Sequence, residues 1–122
     1  MTIRGIRGAT SVENDGAEQV LEATKELLNA ILAANPGLEP ADIASAFFTV
    51  TEELNSVHPA LAARQIGWCL VPMMCAREIP VPGSLPRCIR VLVHWNTDRA
   101  QESIVHVYLR EAVALRPDLA GS

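Results

Sequence analysis

The 122 residues carry a formal charge of -4 and a pI near 5.3, about one domain's length with no general attraction for nucleic-acid backbones or anionic membranes. Three cysteines, at 69, 75 and 88, form neither a disulfide framework nor a zinc-knuckle spacing, and no apolar run approaches the ~18 residues of a membrane span. A soluble cytoplasmic protein is expected. Hydrophobic residues reach 49%, which predicts that another subunit covers part of the surface.

In chain order, residues 2 to 9 alternate as a first strand, with Arg7 at its end. Asp15 and Glu18 resemble a capping box. Val20, Leu21, Thr24, Leu27, Leu28, Ile31 and Leu32 then recur at helical spacing until Asn35-Pro36-Gly37 stops them. Pro40 opens a short helical turn, and Ala46 to Thr51 reads as a second strand. Pro59 to Ile66 suits a two-turn helix stopped by Gly67. Trp68 to Met74 and Cys88 to Trp95 read as strands, separated by a loop over 79 to 86 that holds three prolines and a glycine. Ile104 to Leu109, running on to Leu115, gives a last strand. The order predicts one α/β domain over residues 1–122, a mixed sheet with one long helix and shorter ones on a single face.

Within Cys88-Ile89-Arg90-Val91-Leu92-Val93, Arg90 is a cation in a run that otherwise reads as buried. Burying an arginine costs of order 3 kcal/mol or more unless a carboxylate or an anionic ligand meets it. Alternation places Cys88, Arg90, Leu92 and His94 on one face and Ile89, Val91, Val93 and Trp95 on the core face. Glu78 offers Arg90 a structural ion-pair partner, a reading that stands beside a functional one. Arg7 is a second misplaced cation, and two arginine forks suit a dicarboxylate. For Arg4 a solvated position is favoured.

Cys75 adjoins no base that would make it a nucleophile, so an inert thiol is the favoured reading. Tyr108 lies on an apolar run, and its hydroxyl needs a partner if buried. His58, His94 and His106 lack metal-ligand spacing, and the chain has no nucleophile elbow, phosphate-binding loop or dinucleotide fingerprint.

Arg4-Gly5-Ile6-Arg7-Gly8-Ala9-Thr10, Gly67-Trp68, Val71-Pro72, Cys75 with Glu78, Cys88-Ile89-Arg90-Val91, His106-Val107-Tyr108-Leu109 and Leu115-Arg116-Pro117-Asp118-Leu119 together resemble the small monofunctional chorismate mutases of the trimeric pseudo-α/β-barrel class. The resemblance spans about residues 3 to 119. It implies a homotrimer that binds chorismate in clefts between subunits and rearranges it to prephenate without cofactor or metal. It implies that Arg90 meets the ether oxygen and a carboxylate, and that Arg7 and Tyr108 bind carboxylate. Glu78 with Cys75 would contact the ring hydroxyl. Arg64 would be a mobile arginine over the site, and Leu115 and Arg116 would close it. Met74 stands where relatives commonly have threonine, and His58 where phenylalanine is usual. Two other readings are a non-catalytic trimeric dicarboxylate-binding or regulatory module and a thiol-dependent enzyme using Cys75.

Overall fold

Side-chain alternation in Cys88–Asn96 (β4) sets the architecture. Ile89, Val91, Val93 and Trp95 are buried, whereas Arg90 and His94 are half-buried and Leu92 is exposed on the opposite face. In a computed structural model that describes residues 2–115, β4 is the central strand of one five-stranded sheet. It pairs antiparallel with Ile3–Ser11 (β1) on one side and Ile43–Val50 (β2) on the other. Met73–Arg77 (β3) adds to β2 in parallel, and Val107–Tyr108 (β5) adds to β1 in parallel, giving the order β3-β2-β4-β1-β5.

Helix Ala17–Ala34 (α1) places Val20, Ala23, Thr24, Leu27, Leu28 and Ile31 on one buried stripe. Its Leu27, Leu28 and Ile31 pack with Ile6, Phe48, Val91 and Val93, and Val20 and Ala23 with Val50 and Ile89; each large aliphatic side chain buried there contributes about 1.5–3 kcal/mol. Gly8 permits the approach, since a Cβ there would lie 2.8 Å from Ile31 Cδ1 and 3.2 Å from Leu27 Cδ1. Helix Ala60–Gln65 (α2) joins the same layer, so both helices lie on one face as expected. On the other face, Phe47 and Leu92 are 43% and 37% exposed and Met74 is 63% exposed. Among the described residues this face is open except where Leu85 and the 3-10 turn Arg110–Leu115, through Ala112 and Leu115, pack against Ala9, Cys88 and Tyr108.

The structure corrects several expectations. Strand β1 runs to Ser11, so Arg7 is at mid-strand and not at its end. Asp15 does not cap α1, whose N-cap is Gly16; its carboxylate accepts the Asn55 and Ser56 amides at 3.1 and 3.2 Å. Residues 68 to 72 are not strand. Gly67, at φ +101, turns the chain out of α2, the Trp68 and Val71 amides donate within turns, and Pro72 has no N–H for the ladder, so β3 starts at Met73. The final strand is two residues long. Arg110, at φ +53, redirects the chain into the 3-10 turn that takes the place of the expected strand up to Leu115. Arg116 and the rest of the last motif lie outside the described residues.

Candidate functional site

Directly paired residues share a face of the sheet, so one register line on the open face reads Ala76, Thr49, Arg90, Ala9, Tyr108 across all five strands. Glu78 follows two residues after Ala76, and its amide donates to the Val50 carbonyl at 3.0 Å, extending the β3–β2 ladder. Its carboxylate meets Arg90, with Oε1 3.5 Å from Nε. The Arg90 and Glu78 side chains retain 34% and 23% of their exposure. The distance qualifies as an ion pair, yet Arg90 Nε is buried and makes no aligned hydrogen bond among the described residues. We take the pair as a loose electrostatic contact and not a fork-to-fork clamp, because its geometry fails the directional requirement of a hydrogen bond. Thr49 Oγ1 donates to the other carboxylate oxygen, Oε2.

Arg7 pairs with Leu92, one line below Ala9 and Arg90, which makes Arg7 and Arg90 diagonal cross-strand neighbours about 7–8 Å apart. No acceptor among the described residues meets the Arg7 guanidinium. The Arg7 amide donates to His106 Nδ1 at 2.9 Å, so the imidazole continues the β1–β5 edge where β5 is too short to reach. Of these two neighbouring cations only Arg90 meets a carboxylate among the described residues, an arrangement that leaves unbalanced positive charge for an anion. Tyr108, 8% exposed, packs with Leu85 and Leu115. Its hydroxyl is buried without a hydrogen-bond partner among the described residues.

A cleft of about 240 Å³ opens beside the pair, lined by Thr51, Glu52, Glu53, Glu78, Arg90 and the proline-bearing loop 79–86. Glu53 accepts from the Arg87 amide at 2.8 Å; a Thr51 hydrogen bond, followed by that amide, holds its carboxyl below the usual range. Burial pushes the Cys88 thiol up, only partly offset by the nearby Arg90 charge, so Cys88 stands beside the cation as a neutral thiol.

The remaining expected residues gather elsewhere. Arg64, Met74 and Cys75 line a second cleft of about 340 Å³ with Val57, His58 and Leu61, at the β3 edge of the sheet. Cys75 pairs with Phe48 and packs on the helix-bearing face, whereas Glu78 faces Arg90 on the open face. The Cys75 thiol and the Glu78 carboxylate, expected to contact the ring hydroxyl together, therefore lie on opposite faces of the sheet within one chain. The cause is parity: positions 75 and 78 differ by an odd number, which along extended backbone directs side chains to opposite faces. Arg4 donates to the Arg99 carbonyl at 2.9 Å, outside the site. Thr49 escaped sequence reading because its relevance comes only from the β2–β4 register.

Residues 3–119 match the family of chorismate mutase type I. The chain is 59% identical over 120 residues to chorismate mutase AroH of Thermus thermophilus, covering 98% of each chain. It is 46% identical over 121 residues to chorismate mutase AroH of Bacillus subtilis (strain 168), covering 98% of this chain and 94% of that one. Among solved structures, a chorismate mutase from Clostridium thermocellum superposes with a TM-score of 0.88 at 47% identity, covering 90% of this chain and 97% of that one.

Proposed function

The chain belongs to the type I chorismate mutases, isomerases that convert chorismate to prephenate in aromatic amino-acid biosynthesis, and we propose that its reaction is centred on Arg90. The observation that carries this assignment is the state of Arg90. It is half-buried and held loosely by Glu78, and it lies on one sheet face with the Arg7 guanidinium and the Tyr108 hydroxyl, neither of which has a hydrogen-bond partner among the described residues. Chorismate brings two carboxylates and an ether oxygen. Arg7 and Tyr108 take carboxylate, and Arg90 spans carboxylate and ether oxygen. Glu78 contacts the ring hydroxyl.

The rearrangement is concerted and unimolecular, so it calls for no nucleophile or cofactor. As the C–O bond breaks, negative charge grows on the ether oxygen. A cation already in place beside that oxygen stabilises the charge more than it stabilises the ground state. Holding both carboxylates also selects the folded conformer in which the reacting carbons meet. Leu85 and Leu115 supply apolar cover beside Tyr108.

We further infer a homotrimer whose sites lie between subunits, assembling the pseudo-α/β barrel. Its support is the open sheet face with exposed Phe47, Leu92 and Met74, together with the separation of the Arg90 cleft from the one that Arg64, Met74 and Cys75 line. In this arrangement one subunit gives Arg90, Glu78, Arg7 and Tyr108, and its neighbour gives Arg64, Met74 and Cys75. A cytoplasmic location suits three cysteines that are all free; among the described residues, no helix is long and apolar enough to cross a membrane.

The test is steady-state loss of chorismate absorbance with Arg90→Ala and Arg90→Lys. Arg90→Ala is expected to lose about 100- to 1,000-fold in kcat, the scale of removing one transition-state donor. Arg90→Lys should also fail, because one ammonium cannot serve ether oxygen and carboxylate together. Near-normal turnover in either would remove Arg90 from the role.

A further inference from the structure

We infer that Thr49 is a positioning residue of the site, holding Glu78 in the one orientation that steadies Arg90 without consuming it. The inference rests on the reading of Arg90 and Glu78 given above. Thr49 stands on β2 between the two groups, directly opposite Arg90 on β4 and directly opposite Ala76 on β3. Its hydroxyl donates to Glu78 Oε2 while Glu78 Oε1 lies 3.5 Å from Arg90 Nε. The Glu78 amide is fixed by the Val50 carbonyl next in the chain at 3.0 Å, so both ends of the glutamate are anchored to adjacent residues of β2.

The chemistry explains why this matters. A glutamate side chain has three rotatable bonds, and its preferred geometry with arginine is a fork in which both oxygens accept two guanidinium N–H groups. Such a fork would occupy terminal nitrogens that substrate needs. With Oε2 accepting from Thr49, Oε1 is the oxygen that faces Arg90, and it approaches on the Nε side. The contact is thus made at Nε and not at a terminal nitrogen. Thr49 touches no substrate in this account and acts through Glu78. Valine at 49 would keep the β-branched shape that suits a strand while deleting the donor.

The experiment is a kinetic cycle on the purified full chain, with chorismate as the probe. Thr49→Val is expected to lower kcat about 10-fold while KM changes less than about 3-fold, as for loss of one hydrogen bond to a charged group felt at the transition state. Thr49→Ser, which restores the hydroxyl, should return to within about 3-fold of the parent. Glu78→Ala should be impaired by itself, and adding Thr49→Val to it should cost nothing more, because the hydroxyl has lost its acceptor. Thermal midpoints of all variants identify any that fail to fold, and Thr49→Ala then replaces the valine variant.

Full activity in Thr49→Val while Glu78→Ala is impaired would overturn the Thr49 role and leave the site assignment standing. An undiminished penalty for Thr49→Val in the Glu78→Ala background would also overturn it, since Thr49 would then act by another route. Full activity in Glu78→Ala would overturn both readings together.

Discussion

Replacing Tyr108 with phenylalanine should move stability and catalysis in opposite directions. The ring is packed against Ala9, Cys88 and Ala112, and its hydroxyl is buried without a partner among the described residues. Leaving such a group unsatisfied costs about 1–3 kcal/mol. Deleting it while keeping the ring should leave the unliganded protein as stable as before or more stable by up to about 1 kcal/mol, a rise in Tm of up to about 5 °C for a domain of this size. On the proposed assignment of Tyr108, the same deletion removes a hydrogen bond to a substrate carboxylate. Bonds of that kind contribute about 1.5–3 kcal/mol, and with Arg7 and Arg90 still present the lower figure applies, about a 10-fold fall in kcat/KM carried mainly by KM. The assays are thermal unfolding without ligand and initial rates of chorismate loss across substrate concentration. A lower Tm with unchanged kcat/KM would refute the reasoning, because the hydroxyl would then have a structural partner and no substrate.

Two other outcomes follow from the geometry. Cys75→Ser should retain most of the turnover, with kcat within about 5-fold, since the thiol packs beside Phe48 on the helix-bearing face and no covalent step is proposed; complete loss in the chorismate assay would restore the thiol-dependent reading. Acid should destabilise the protein through Asp15 and Glu53. Hydrogen bonds from Ser56 and the Asn55 amide lower the Asp15 carboxyl from 3.8, and those from Thr51 and the Arg87 amide lower Glu53 from 4.5. Both contributions are complete above those unfolded-state values and vanish as pH falls through the still lower folded ones. Urea midpoints measured from about pH 6 down to pH 3 should therefore fall, and Asp15→Asn should flatten the decline. An unchanged slope in that variant would show that Asp15 gives no linkage.

Much of this fold was legible because its strongest patterns are local. The stripe from Val20 to Ile31 identified α1, and alternation from Cys88 to Trp95 identified both the core face and the face that carries Arg90. Legibility ended where tertiary contacts outweighed local pattern. Asp15 matches a cap motif but is drawn to the amides of Asn55 and Ser56, 40 residues away. Trp68 and Val71 are apolar and buried, as in a strand, but their chain turns between Gly67 and Pro72. At the site, the Arg90–Glu78 ion pair was foreseen from charge in an apolar run. Thr49 was not, because it joins Arg90 only through strand register, and register depends on pairings made across the sheet; Tyr108 entered through the family resemblance and not through local pattern. That Cys75 and Glu78 face opposite sides of one chain's sheet follows from the parity of their numbers.

Mixing two defective variants tests the shared, Arg90-centred site most directly. Arg90→Ala and Arg64→Ala chains, each assayed alone and then coassembled in equal amounts, should recover chorismate turnover in the mixture, because some interfaces then join an intact Arg90 to an intact Arg64. Random assembly of a ring with head-to-tail interfaces gives about a quarter of the parent's sites in that state. Recovery near that level, with a solution mass close to three times 13.2 kDa, is the result the account expects. No recovery, a strict monomer, or parent-like activity in Arg64→Ala alone would contradict a site built from neighbouring subunits.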